Sequence, residues 1–252
     1  MPALRGGVTN HGYEAPLMDR CQPCPAPTLL SAVDAVRTRR SIRAFTAEPV
    51  PRGTVEYILE LASRAPSGSN IQPWQVYAIA GAARDALSAE LKAAHYDPAD
   101  TQAEEYNYYP TKWFEPYLGR RRKIGWDLYS MLGIAKGNKE AMSRQHARNY
   151  DFFGAPVGLF FTLDRTLEIG SWLDLGMFME NVMVVARGLG LDTCPQAAFA
   201  KYHRVVCRHL EIPDSEILVS GMALGHADPD APENRLQTER APVAEFTRFH
   251  GF

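Results

Sequence analysis

Residues 172–189 carry apolar side chains at Leu173, Leu175, Met177, Phe178, Met179, Val182, Met183, Val184, Val185 and Ala186, which fall on every face of a helix. A helix of that composition has no polar face to offer water and must be enclosed by other elements. Gly188 and Gly190 supply its stop. In a chain of 252 residues, full enclosure of such a helix points to a second copy covering one face. The chain is therefore expected to be an obligate homodimer.

The flanking segments say what encloses it. Apolar runs at 156–163 and 217–224, the second bounded by Asp214 and Gly225, read as buried strands, and 75–80 reads as a third. Ser31 is a good N-cap with Asp34 three residues on, so a helix is expected to start there. Val55, Ile58, Leu59 and Ala62 recur at helical spacing in a second helix, which Pro66 stops, and 82–94 reads as a third. With no internal repeat or low-complexity linker, these elements make an α+β layered domain over 31–252. Residues 1–30, rich in Gly and Pro without periodicity, form an N-terminal arm.

Charge and composition exclude several partners. With 27 basic and 29 acidic residues the chain is near neutral, so it has no field to gather nucleic acid. No apolar run approaches the roughly 20 residues of a membrane-spanning helix, and the N-terminus lacks the blocks of a secretory signal. A cytoplasmic protein without membrane association is expected. Cys21 and Cys24 form a lone Cys-x-x-Cys flanked by Pro23 and Pro25, and Cys194 and Cys207 offer no partner spacing. The dispersed histidines do not have ligand spacing either, so no metal is expected.

Three stretches carry chemistry. Arg39, Arg40, Ser41 and Arg43 lie within five residues at a helix end, and guanidiniums match phosphate oxygens with paired donors. Alone, such a run is more often solvated surface. Ser67-Gly68-Ser69-Asn70 is a turn dense in small donors and acceptors, which a plain helix-to-strand connection would also favour. Tyr106, Tyr108, Tyr109, Trp113, Phe114, Tyr117, Trp126 and Tyr129 crowd one excursion, about 95–150, as a binding lid or as glue to the body. Within it, Arg120, Arg121, Arg122 and Lys123 make either a solvated helix face or a phosphate contact. The C-terminal stretch 228–252, with Phe246, Phe249 and Phe252, reads as an arm wrapped on a neighbour. Motifs for side-chain nucleophiles, zinc hydrolysis, Walker and dinucleotide sites are absent, so a bound cofactor is expected to carry any reaction.

Arg39-Arg40-Ser41-Ile42-Arg43, then Ala65-Pro66-Ser67-Gly68-Ser69-Asn70-Ile71-Gln72-Pro73-Trp74, then Cys194-Pro195-Gln196-Ala197-Ala198, then 225–235, resemble in order and spacing the FMN-dependent nitroreductase family. The resemblance covers about 31–252. It implies a three-layer sandwich, with a mixed but mainly antiparallel sheet flanked by helices, in a homodimer. It implies FMN as cofactor, NADH or NADPH as electron donor, and ping-pong reduction of nitroaromatic compounds to hydroxylamines or amines. By the resemblance, Arg39, Arg40, Ser41 and Arg43 would hold the FMN phosphate and ribityl chain with Arg235, and Gly225 belongs to the same final motif. Pro195, Gln196, Ala197 and Ala198 would line the isoalloxazine ring, while Ser67 and Asn70 would come from the other subunit. Trp74, Tyr109, Trp113, Phe114 and Tyr117 are expected against a small aromatic substrate, and no side chain is expected to act as catalyst. Familiar members carry a Glu-Gly pair where this chain has Ala197 and Ala198 after Gln196, so backbone donors and the Gln amide are expected to serve there. This departure and the aromatic insertion look like the nitrobenzoate and nitroaromatic reductase branch. Flavin-dependent dehalogenation or other flavin reduction on the same scaffold, or a flavin-binding regulator without turnover, are the alternatives.

Overall fold

A computed structural model describes residues 29–252; most of the expected N-terminal arm, with Cys21 and Cys24, lies outside them. The elements are α1 (Ala32–Thr38), α2 (Arg52–Ala62), β1 (Gln75–Ala80), α3 (Gly81–Tyr96), α4 (Tyr117–Met131), α5 (Lys139–Ala147), β2 (Val157–Asp164), α6 (Ile169–Gly188), β3 (Asp192–Gln196), α7 (His203–Leu210), β4 (Glu216–Gly225) and α8 (Val243–Phe246). The strands lie in the order β1-β2-β4-β3, and each neighbouring pair is antiparallel. The mixed character expected of the sheet is reduced to one isolated parallel bridge, Ser41 to Thr193.

Alternation along β2 explains the layers. Leu159 and Phe161 point to a core shared with Ile58 of α2 and with Phe178 and Val182 of α6, whereas Phe160 points to a second core holding Phe152, Phe199, Tyr202 and Leu87 of α3. Both faces of the strand are dry, so its sequence is continuously apolar. Close approach fixes one position: a Cβ on Gly158 would lie 2.4 Å from Cε1 of Phe152.

The 20 residues of α6 do reach the length and mean hydropathy, 1.2, of a membrane span, contrary to the expectation of no such run. Here the helix packs against α1, α2 and β2, with Leu175, Phe178, Val182 and Ala186 buried. Enclosure within the protomer is incomplete, since Ile169 is 84% and Leu173 69% exposed at the start of α6, and Val33 and Val36 of α1, which packs along the other end of α6, are 64% and 60% exposed. The C-terminal segment, expected to wrap on a neighbour, also has partners within its own chain: Glu245 pairs with Arg120 at 3.3 Å and Glu239 with Lys123 at 3.5 Å. Opposite charges on α4 explain that placement, which periodicity of the phenylalanines did not reveal.

Candidate active site

β3 is an edge strand, which is where a strand containing Pro195 can stand, and the segment after α1 runs along its free edge. Arg39 caps α1 through its N–H to Ala35 O, and its extended backbone turns the chain onto that edge. There Ser41 bridges Thr193 and Ile42 N–H donates to Thr193 O at 3.0 Å. Phe45 then bridges Ala227 antiparallel. Ile42, 1% exposed, is the apolar peg, so alternation sends Arg39, Ser41 and Arg43 to the other side. The charges of Arg43 and Arg39 reach buried Cys194, whose thiol burial nevertheless pushes up to about 11. Arg40 lies by Asp192, whose carboxyl burial raises against the pull of Arg187 and Arg40.

Asn234 locks this segment, and sequence reasoning missed it. Its amide oxygen accepts from the N–H groups of Arg43 at 2.9 Å and Ala44 at 3.2 Å. Its amide nitrogen donates to Ala44 O at 2.7 Å and Asp228 O at 2.9 Å, and its backbone carbonyl accepts from Arg40 Nη1 at 2.9 Å. Arg235, expected to be the contact, is exposed at the end of the same 3-10 turn, Pro232–Arg235. Gly225 has a packing reason for being glycine: a Cβ would lie 2.7 Å from Cδ of Pro156 and 3.3 Å from Phe45.

Gln196 differs from the expectation for its amide. The side chain is 2% exposed and its Nε2 donates to Asn149 O at 2.7 Å, while its Oε1 is buried without a partner among the described residues, so only the acceptor end of the amide is left to serve a ligand. Half-buried Ala197 and Ala198 then open a 3-10 turn, Ala197–Tyr202, that no side chain caps. The first N–H groups of such a turn have no partner within it and are available as donors.

The loop at Ser67 leans on α6. Gly68 N–H donates to Asp174 at 3.1 Å, and Asp174 is a buried carboxylate on the mainly apolar α6. Ser69, Asn70 and Gln72 all take positive φ, and from Gly68 to Gln72 the loop is exposed. Backbone held in that region by non-glycine residues costs of order 1 kcal/mol each and marks an imposed shape.

The aromatic excursion divides into a fixed stem and an open tip. In the stem, Asp100 takes Lys201 at 2.5 Å and the Tyr202 hydroxyl at 3.1 Å, and the Lys201 ammonium holds its carboxyl below the ordinary range. Glu105 accepts both donors of Arg165 Nη2, at 2.9 and 3.1 Å, and faces His203 Nδ1 at 3.1 Å. The Tyr106 hydroxyl donates to Val219 O, and its ring meets Trp172 edge-on. Both clamps therefore grip Lys201, Tyr202 and His203, the residues that follow Ala197 and Ala198. In the tip, Tyr109 and Trp113 tilt together at 5.3 Å and Phe114 and Tyr117 meet at 5.1 Å. Trp74 is elsewhere, stacked at 4.7 Å on Phe178 in the α6 core. The protomer thus does not bring Trp74, Ser67 or Asn70 together with the arginine segment, and the tip rings contact one another and Arg121.

The arginine segment fits a phosphate on chemical grounds. Arg39 has Glu180 at 3.6 Å, but among the described residues no carboxylate lies within ion-pair distance of Arg40, Arg43 or Arg235. Guanidiniums whose donors are not taken up in ion pairs, Arg43 above all, are what a dianionic group requires.

The model of the Nitroreductase family matches residues 36–226. The chain belongs to the nitroreductase family. It is similar to a 4-nitrobenzoate reductase of Pseudomonas putida, 41% identical over 86% of this chain and 94% of that protein. A nitrobenzene nitroreductase of Ectopseudomonas oleovorans is 39% identical over 88% and 98%. Among solved structures, an FMN and NADPH-dependent nitroreductase NfnB from sphigopyxis sp. strain HMH is 40% identical, covering 88% of this chain and all of that one, with a TM-score of 0.86. In this nitroreductase-family chain the matched region spans the arginine segment, β3 and β4, while Asn234 lies beyond it.

Proposed function

We propose that the protein is an FMN-dependent NAD(P)H oxidoreductase that reduces nitroaromatic compounds to hydroxylamines or amines, working as a homodimer. One observation carries the reading: Asn234 fixes the arginine segment along the β3 edge, through the Arg40 guanidinium and the Arg43 backbone N–H, and no carboxylate among the described residues lies within ion-pair distance of Arg40 or Arg43. Arg39 and Arg43 would bind the phosphate, with Ser41 as a neutral donor and exposed Arg235 free to swing onto it, while Arg40, on the Ile42 side and bonded to Asn234 O, would add its charge from the flank. The N–H groups of Ala197 and Ala198 would donate to the ring edge and stabilise negative charge there, while Gln196 and Pro195 hold the strand in place. When bound, FMN supplies two-electron transfer at N5 between NAD(P)H and the nitro group. The clamps on Lys201 and His203 keep the turn rigid beneath that ring.

The uncovered face of α6 and α1 is where a second copy would sit. The exposed loop held by Asp174 would then carry Ser67 and Asn70 to the partner's cofactor. Nitroarenes as substrates are supported by similarity to reductases of 4-nitrobenzoate and nitrobenzene. Steady-state kinetics with NADH or NADPH against nitrobenzene test the reading, and parallel double-reciprocal lines are expected. A purified protein that retains no FMN on reconstitution, or that turns over no nitroarene, would defeat it.

A further inference from the structure

Four consecutive cations stand on α4, and their surroundings differ. Arg120 pairs with Glu245 at 3.3 Å, and Lys123 pairs with Asp127 at 2.7 Å and Glu239 at 3.5 Å. Arg121 has no carboxylate within ion-pair distance among the described residues. Its guanidinium carbon lies instead 4.7 Å from the Trp113 ring centroid and 5.8 Å from that of Tyr109. A cation over ring faces is attracted by the rings without its N–H donors being taken up in hydrogen bonds, so those donors are available to a planar acceptor. On the same excursion Tyr109, Phe114 and Tyr117 are 55%, 58% and 51% exposed, an open aromatic surface.

α4 also packs against the 3-10 turn Pro232–Arg235, whose Asn234 holds the arginine segment. The Arg121 cation is thus separate from the phosphate cluster but belongs to the same side of the molecule. A cation held against exposed rings, without a carboxylate of its own among the described residues, suits a ligand that is both aromatic and anionic. We propose that Arg121, seated on Trp113 and Tyr109, binds the carboxylate of an aromatic nitro acid substrate. This rests on the nitroarene-reducing function proposed above, and it names the substrate class: nitrobenzoates in preference to uncharged nitroarenes. Similar proteins act on both kinds, 4-nitrobenzoate and nitrobenzene, so substrate charge is a property on which members of this family differ. A phosphate of the nicotinamide nucleotide is the other source of an anion, and the test separates the two.

The test uses FMN-loaded wild type, Arg121→Met and Arg121→Lys. Calorimetric binding of benzoate and its neutral isostere benzamide needs no turnover. The ratio of kcat/KM for 4-nitrobenzoate over 4-nitrobenzamide, and that for NADPH over NADH, complete the set. Wild type is expected to prefer benzoate, Arg121→Met to lose about tenfold or more of that preference and of the nitrobenzoate ratio, and Arg121→Lys to recover part of it. Equal binding of benzoate and benzamide by wild type would overturn the inference, as would an equal loss of both in Arg121→Met. A change confined to the NADPH over NADH ratio would assign Arg121 to the nucleotide phosphate and overturn it too. Failure of nitroarene turnover would strike the enzymatic reading alone, because benzoate binding judges Arg121 independently.

Discussion

Replacing Asn234 by Ala is expected to loosen the whole arginine segment. The side chain is 7% exposed and makes four hydrogen bonds, to Arg43 N–H, Ala44 N–H, Ala44 O and Asp228 O. Truncation strands these backbone groups, with Ala44 itself buried. At about 1 kcal/mol net per bond, partly offset by water entering the space, the loss is about 2–4 kcal/mol. For a chain of this size each kcal/mol moves the melting temperature by about 2–4 °C, so a fall of about 4–16 °C is expected. FMN affinity should fall as well, because binding must then order the segment that carries Arg40 and Arg43. Asn234→Asp should not rescue, since its second oxygen would face the Ala44 and Asp228 carbonyls. Thermal unfolding and FMN titration by fluorescence quenching read both effects. An Asn234→Ala protein melting within about 1 °C of wild type, with unchanged FMN affinity, would refute the role given to this residue.

Leu173→Asp places a charge on the uncovered face of α6, where Leu173 is 69% exposed, and should shift the protein to monomers with weakened FMN retention; a stable dimer by light scattering would refute the assignment of that face. Gly158→Ala drives a Cβ to 2.4 Å from the buried Phe152 ring and should cost about 1–3 kcal/mol by chemical denaturation. An unchanged midpoint would mean that the ring gives way freely. The hydroxyls of Tyr77 and Tyr106 are pushed up to about 12, chiefly by desolvation and, for Tyr77, also by Glu216. The folded state therefore keeps protons that an unfolded tyrosine releases near pH ~10, so their stabilisation is complete below that pH and is lost between about 10 and 12. Melting curves across that window should show the loss, flattened in Tyr77→Phe, and a flat profile in wild type would contradict it.

Elements with strong periodicity were legible in the sequence. The strand read at 75–80 is β1 to the residue, and Ser31 does accept Asp34 N–H at 3.1 Å at the start of α1. The apolar helix was recognised because composition alone settles its burial, and its exposed Leu173 marks the face the protomer leaves open. β3 was not identified as a strand, because Asp192, Thr193, Pro195 and Gln196 neither alternate nor favour strands; its place at the sheet edge makes that composition workable. α5 and α7 are short and polar, and went unread for a related reason. At the site, the arginines were visible as a charge cluster, yet the residue that positions them lies nearly 200 positions away in an irregular turn, where no spacing rule applies. Arg235, the expected phosphate contact, is the exposed neighbour of that buried amide. Gln196 was likewise visible, but only its contact with Asn149 shows that its amide faces inward.

The most direct test of the account is the visible spectrum of the FMN-reconstituted protein under nitrogen. Adding NADPH or NADH should bleach the bound flavin, and adding a nitroarene such as 4-nitrobenzoate should restore the oxidised spectrum within turnover time. Bound flavin that neither nicotinamide bleaches, or that bleaches but is not reoxidised by a nitroarene, would contradict it.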